Sequence, residues 1–286
     1  MKPSPRVLLA ALLTLVLTAC QSVYFHALNL GIGHGESVVF DAAQGLSLDV
    51  YRPVSGERNA PVVVFFYGGS WQSGERGYYR FVGEALARRG VLVLIPDYRK
   101  APKDVFPAFM QDGATAVAWA RAHAAAYGGD PRRLFLMGHS AGAHIAALLA
   151  TDGQFLAAQG MRPRDLAGVV GLSGPYDFLP LTDPKVMQAL GPPAGWPATQ
   201  PVNFVDGDEP PFLLLHGDAD TTCRPSNSQH LGARLHERGE PVDLVIVPGV
   251  GHIGMLNGFR SARFSPALER SVRWIEARPA PGMSAE

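Results

Sequence analysis

From residue 36 onward the chain alternates short apolar runs with longer segments of mixed character. The runs 61–66 (PVVVFF), 91–95 (VLVLI) and 211–216 (PFLLLH) are apolar at almost every position instead of at every second one. That pattern belongs to strands covered on both faces. Further strands are expected at 37–40, 46–51, 133–137, 168–172 and 242–247. Helices are expected between them at 77–89, 107–127, 141–151, 226–239 and 264–277. Strand–helix alternation of this kind predicts an α/β fold, a mostly parallel sheet of about eight strands with helices on both sides. The first two strands are separated only by the turn DAAQG (Asp41–Gly45), which predicts an antiparallel hairpin at one edge.

The segment 173–211 breaks the rhythm. It is rich in proline, includes GPPAGWP at 191–197, and only 183–190 has a helical pattern. A connection this long is either a functional insertion, such as a lid or binding element, or a structural excursion at the sheet edge. Both readings stay open from the residues alone.

Composition narrows the function classes. The 286 residues are 47% hydrophobic and 17% charged, with 25 basic and 25 acidic side chains, which suits one large globular domain. A balanced charge leaves no electrostatic footprint for nucleic acid. The domain is expected over 36–278, followed by a disordered tail at 279–286.

The N-terminus has its own character. MKPSPRVLLAALLTLVLTAC carries basic Lys2 and Arg6, an apolar run from Val7 to Leu17, and small residues before Cys20. The run is too short to span a bilayer comfortably and has the layout of a secretory signal over 1–19. Leu17-Thr18-Ala19-Cys20 resembles the bacterial lipobox, in which the cysteine is lipidated and becomes the mature N-terminus. The resemblance implies a lipid anchor on Cys20, a linker over 20–35, and an envelope location. Gln21 after the cysteine, in place of aspartate, leans toward the outer membrane. The other cysteine, Cys223, reads as a small packing residue with no metal-site pattern around it.

Candidate chemistry centres on RRLFLMGHSAGAHIAALLAT, where a strand runs into Gly138-His139-Ser140-Ala141-Gly142 and a helix follows at once. Gly-x-Ser-x-Gly is weak alone, but on a strand-to-helix turn it lifts the serine hydroxyl above the sheet. Glycines are needed there because side chains would collide with neighbouring backbone. Ser140 also lies at a helix N-terminus, where negative charge is favoured. A serine hydroxyl needs a base, and the base needs a carboxylate to orient it. PFLLLHGDADTTCRP supplies Asp218 and Asp220 just past a strand end, and VDLVIVPGVGHIGM supplies His252 past the last strand. Of the two aspartates Asp220 is favoured. Histidines 26, 34, 123, 139, 144, 216, 230 and 236 sit on the N-terminal arm, on helices, or too early in the chain for the base.

The motifs YGGSW, PDYR, FPAFMQD, YGGDP, GHSAG, HGDAD and GHIG resemble the α/β-hydrolase superfamily over residues 36–277. The likeness is to the esterase/lipase branch with hormone-sensitive-lipase-like and kynurenine-formamidase-like enzymes. It implies Asp220 as the acid, the fifth residue of the His-Gly-x-x-Asp segment. It also implies an oxyanion hole from the amides of Gly69, Ser70 and Ala141, with glycine present because a Cβ would block the substrate carbonyl. Tyr67 stands where that family usually has a loop-shaping histidine, so the loop must be held differently. Asp97, Arg99 and Asp112 read as scaffold partners, and Trp71 and Tyr176 as packed or pocket-lining aromatics. The expected activity is hydrolysis of small to medium neutral carboxylic esters by Ser140, His252 and Asp220, with no cofactor and no metal. An amidase or arylformamidase on the same triad is the enzymatic alternative. A catalytically silent binding lipoprotein is the alternative from another class.

Overall fold

The computed structural model describes residues 23–54, 56 and 58–282. The expected signal peptide 1–19, Cys20 and residues 283–286 of the expected tail lie outside the described residues. The strands are β1 (Glu36–Asp41), β2 (Leu46–Tyr51), β3 (Ala60–Phe66), β4 (Leu92–Pro96), β5 (Gly129–His139), β6 (Gly168–Leu172), β7 (Phe212–Gly217) and β8 (Val242–Val247). They form one eight-stranded sheet in the order β1-β2-β4-β3-β5-β6-β7-β8. β1 and β2 are the expected edge hairpin, β2 also runs antiparallel to β4, and every other pairing is parallel. This is the α/β-hydrolase fold.

The largest boundary difference is β5, expected at 133–137 and observed over Gly129–His139. The strand reaches back into the Tyr-Gly-Gly-Asp-Pro segment as far as Gly129, which pairs with Ala60 of β3 across a register shift, whereas β6 pairs only with Phe135–His139. Such pairing overrides local turn preference. Residues 62–66 of β3 and 134–137 of β5 are wholly buried, whereas β8, at the far edge, is partly exposed.

The principal helices are α1 (Arg80–Ala87), α2 (Ala108–His123), α3 (Ala141–Thr151), α4 (Pro184–Leu190), α5 (Ser226–Glu237) and α6 (Ala267–Glu276). The segment expected as one helix over 77–89 is split into a 3₁₀ turn, Arg76–Tyr79, and α1. The 107–127 segment likewise ends in a 3₁₀ turn, Ala124–Tyr127. α6 begins later than expected because Pro266 occupies its N-cap, where no helical N–H is needed. Every residue of α3 is buried, and apart from His144 and Thr151 the helix is made of small and apolar residues on every face, as a central helix is.

Two expectations about the ends change. Residues 23–28 are helical and pack on the domain instead of forming a linker. Phe25 is buried and stacks on Tyr78 at 5.1 Å between ring centres. The buried Asn29 side chain donates to the Gly77 and Tyr78 carbonyls and accepts from the Phe81 N–H. At the other end Ala280 is buried, so the tail is anchored at least that far.

Arg99 and Asp112 are scaffold partners, as expected. Asp112, nearly inaccessible on α2, accepts from the Arg99 Nε (2.9 Å), its NH2 (2.7 Å) and its backbone N–H (2.7 Å). Asp112→Ala should lower unfolding free energy by about 3 kcal/mol, because it strands the guanidinium and an amide beside a cavity. Glu84→Ala, which breaks an exposed pair with Arg88, should change it by less than about 0.5 kcal/mol. Urea unfolding of the two variants checks the contrast.

Candidate active site

The site begins at the turn from β5 to α3. Ser140 sits between them with φ 56° and ψ −124°, a left-handed conformation costing a side-chain-bearing residue on the order of 1–3 kcal/mol. The flanking glycines explain why the turn closes. A Cβ on Gly138 would lie 2.3 Å from the Gly142 backbone, and one on Gly142 would lie 2.0 Å from the Phe66 carbonyl oxygen. The Ser140 N–H donates to the Leu172 carbonyl (3.0 Å), which ties the turn to β6.

Asp220 and His252 come from the loops after β7 and β8. The loops are drawn together at Gly217, where a Cβ would fall 1.9 Å from the Val250 carbonyl oxygen. Asp220 Oδ2 lies 2.7 Å from His252 Nδ1, and His252 Nε2 lies 2.9 Å from Ser140 Oγ. With Nδ1–H donating to the carboxylate, Nε2 is left with its lone pair toward the serine hydroxyl, the tautomer a proton acceptor needs. Asp218 does not compete: it is exposed and accepts the Gly249 N–H (2.7 Å), capping a turn.

Asp220 is buried yet held well below the usual carboxylate range. Burial works against ionisation, but hydrogen bonds from His216 and His252, the His252 charge and the Cys223 amide outweigh it. Its Oδ1 accepts from the Thr222 and Cys223 N–H groups at 2.9 and 2.8 Å.

His216 is a participant that sequence reasoning left out. Fully buried, its Nε2 lies 2.8 Å from the Cys223 carbonyl and 3.3 Å from Asp220 Oδ2, while its Nδ1 lies 2.7 Å from the Ser228 hydroxyl. Placing the proton on Nε2 satisfies all three contacts. The signal is the His-Gly-Asp-Ala-Asp spacing, which puts His216 four residues before Asp220. His139 is a second omission. Its Nε2 lies 3.1 Å from the His252 carbonyl oxygen and donates to it, holding the backbone of the loop that carries the imidazole.

The loop after β3 supplies Gly68, Gly69 and Ser70. The expected reason for its glycines changes here. A Cβ on Gly69, whose φ is 137°, would sit 2.2 Å from the Ser73 carbonyl oxygen, so it is the loop's own fold that requires glycine. Tyr67, in place of the usual histidine, holds this loop from below. Its ring stacks on Tyr98 at 4.6 Å, and its hydroxyl donates to Asp97 (3.0 Å) and accepts from Lys100 Nζ (2.8 Å). Tyr98 donates to the Tyr67 carbonyl, and the Gly68 N–H donates to the Tyr79 hydroxyl (3.2 Å). Arg76 closes the cluster by pairing with Asp97 and Asp49.

Two cavities meet at Ser140 and share Ser70 and Thr222. One, of about 610 Å³, is lined by Trp71, Ala141, Phe178, Leu179 and Val186, with Asp177, Arg224 and His230 also on its wall. The 173–211 segment therefore builds a wall of the site. The other cavity, of about 490 Å³, runs past Gly69 and His252 to Tyr24, Phe25, Tyr79 and Ile253. Trp71 lines the first cavity, whereas Tyr176 is fully buried beneath Gly171 and Gly174.

The fold and this serine–histidine–aspartate constellation place the protein among α/β-hydrolase-fold proteins. The BD-FAE family is matched over residues 48–235, and the chain belongs to that family. It is 30% identical over 259 residues to esterase LipC of Mycobacterium tuberculosis, covering 82% of this chain and 64% of that protein. It is 29% identical over 262 residues to the probable isoprenylcysteine alpha-carbonyl methylesterase ICMEL1 of Oryza sativa, covering 81% of this chain and 59% of that protein. The chain thus spans a half to two-thirds of the length of such curated relatives. Among solved structures, propionate-bound esterase 2 of Thermogutta terrifontis superposes with a TM-score of 0.72 at 24% identity, over 88% of this chain and 97% of that one. The acetyl ester-xyloside bifunctional hydrolase of Caldicellulosiruptor lactoaceticus gives 0.73 at 20% identity, over 86% and 97%.

Two buried histidines near the site make stability depend on pH. Burial, and next the charge of His252, lowers His139 to about 3; burial lowers His144 to about 4. Both lie below the ordinary imidazole value of about 6.5, so the unfolded chain binds more protons between about pH 4 and 6.5. Stability should therefore fall as pH drops through that window and be unaffected by these groups above it. His144→Phe should flatten the slope by up to one proton, about 1.4 kcal/mol per pH unit, in denaturant titrations from pH 4.5 to 6.5.

Proposed function

We propose that the protein is a serine hydrolase acting on carboxylic esters of small to medium neutral substrates. The observation that carries the reading is the continuous chain Asp220–His252–Ser140, with both contacts at hydrogen-bond length and Ser140 at the junction of two cavities. Ser140 Oγ attacks the ester carbonyl while His252 Nε2 takes its proton. The oxyanion is held by the amides of Gly69, Ser70 and Ala141, each such donor being worth about 2.7–4 kcal/mol. As the carbon–oxygen bond to the alcohol breaks, His252 returns the proton to the leaving oxygen. Water, deprotonated by the same imidazole, then releases the acid from the acyl-enzyme. Asp220 keeps the imidazole in the required tautomer and stabilises its cation. The relatedness to esterase LipC supports ester chemistry, and the aromatic and aliphatic side chains of Tyr24, Phe25, Tyr79 and Ile253 along the smaller cavity suit an uncharged group on that side.

Ester and amide hydrolysis would use the same three residues, and no observation here favours the amide. Turnover of p-nitrophenyl esters from acetyl to dodecanoyl should peak at one chain length. Ser140→Ala should reduce it by a factor on the order of a million, with the fold intact by circular dichroism. Folded protein without Ser140-dependent turnover of any ester would sink the reading.

We further propose that the chain is held at the bacterial envelope by lipid on Cys20. The support is the Leu-Thr-Ala-Cys pattern behind a basic, then apolar, leader. Cys20 precedes Tyr24 by four residues, which span at most about 14 Å. An anchor there would keep the Tyr24 side of the site close to the bilayer. Cys20→Ala should move the protein from the membrane fraction to the soluble fraction without changing turnover per molecule. Unchanged fractionation would overturn the anchor.

A further inference from the structure

We infer that the N-terminal arm, residues 23–32, forms the wall against which the alcohol half of the ester is read, and that Tyr24 is a specificity-determining residue. The inference rests on the hydrolase reading above and extends it.

The first step is chemical. In ester hydrolysis the imidazole that accepts the serine proton must hand it to the leaving alcohol oxygen. The alcohol must therefore lie on the side of Ser140 where His252 lines the cavity. Of the two cavities meeting at Ser140, only the one of about 490 Å³ is lined by His252. The larger cavity, which reaches Trp71, Phe178 and Val186 and is not lined by His252, is left for the acyl group.

The second step concerns what builds the alcohol side. Its far wall is Tyr24, Phe25, Tyr79 and Ile253. Tyr24 and Phe25 come from the arm, and the arm is seated on both loops that shape the reaction centre. Tyr24 donates its hydroxyl to Asn257, on the helical turn that follows His252. Phe25 packs at 5.1 Å on Tyr79, whose hydroxyl accepts the Gly68 N–H of the loop expected to hold the oxyanion. Asn29 pins the arm behind them through the Gly77 and Tyr78 carbonyls and the Phe81 amide. The arm is thus a fixed part of the cavity. An aromatic wall favours flat or apolar alcohols over methanol, since ring faces bury and stack against such groups.

The test uses the full chain and a grid of substrates: acetate esters of methanol, phenol and 1-naphthol, and p-nitrophenyl esters of increasing acyl length. The wild type should prefer the naphthyl to the methyl ester in kcat/KM. Tyr24→Ala should lower that naphthyl-to-methyl ratio about tenfold, within the range one pocket contact commands, while leaving the acyl-length profile unmoved. Ile253→Ala, at a position 40% exposed and on a different loop, should lower the ratio in the same sense even if the arm variant folds poorly. Val186→Ala should do the reverse, shifting the acyl profile and not the alcohol ratio. Ser140-dependent turnover with an alcohol ratio unmoved by both wall variants would overturn this assignment alone. A shift of the acyl profile in its place would also overturn it, by exchanging the two sides. No Ser140-dependent turnover of any ester would overturn the hydrolase reading beneath it.

Discussion

The structure turns on one close approach of backbone to backbone. Where β5 meets α3, the chain passes so near itself and β3 that a methyl group at Gly138 or Gly142 would overlap main-chain atoms. That contact holds Ser140 in a left-handed conformation it would not adopt alone, and sets its hydroxyl at the meeting point of two cavities. α3, buried on every side, cannot shift to relieve the strain. A rigid element on each side of the turn is what allows an unfavourable torsion to persist. The other parts of the site are arranged around a serine whose position is already set.

The second constraint is electrostatic. A carboxylate as buried as Asp220 is costly unless its lone pairs are filled. Here two backbone amides take one oxygen and two imidazoles face the other. His216 belongs to that arrangement as much as His252 does, though it lines neither cavity. A parallel arrangement lies under the glycine loop. There Tyr67 shares its hydroxyl between Asp97 and Lys100, with Arg76 neutralising the remaining charge. A tyrosine is longer than a histidine, so it reaches a network further below the loop. This is how the chain accommodates its departure from the usual motif.

Local pattern made much of this legible. The buried runs around Val64, Leu94 and Leu214 are apolar at every position because both sheet faces are covered, so strand identity was readable without partners. The edge hairpin followed from the short Asp41–Gly45 turn. Glycines at 138 and 142 marked the serine turn because their spacing has few other uses. Boundaries were less legible: β5 runs back through Pro131 to Gly129, where one contact with Ala60 of β3 across a register shift extends it, and no local preference announces that contact. Pro266 delays α6, because it occupies the N-cap and the helix starts only at Ala267.

The sequence by itself determined the α/β architecture and the order of the candidate serine, aspartate and histidine, which are properties of periodicity and local motif; the preference for Asp220 over Asp218 was supported by the resemblance to a known family. Only the tertiary structure decided that His216 and His139 brace the site, that Tyr67 is held by Asp97 and Lys100, and that residues 173–211 wall one cavity. It also decided that the arm at 23–32, which reads as a linker, packs against Tyr79 and Asn257 to wall the other. Apart from His216, whose partners lie within twelve positions, each of these joins residues tens to hundreds of positions apart. No local pattern encodes such contacts, because they arise only when the sheet order brings distant loops to the same end.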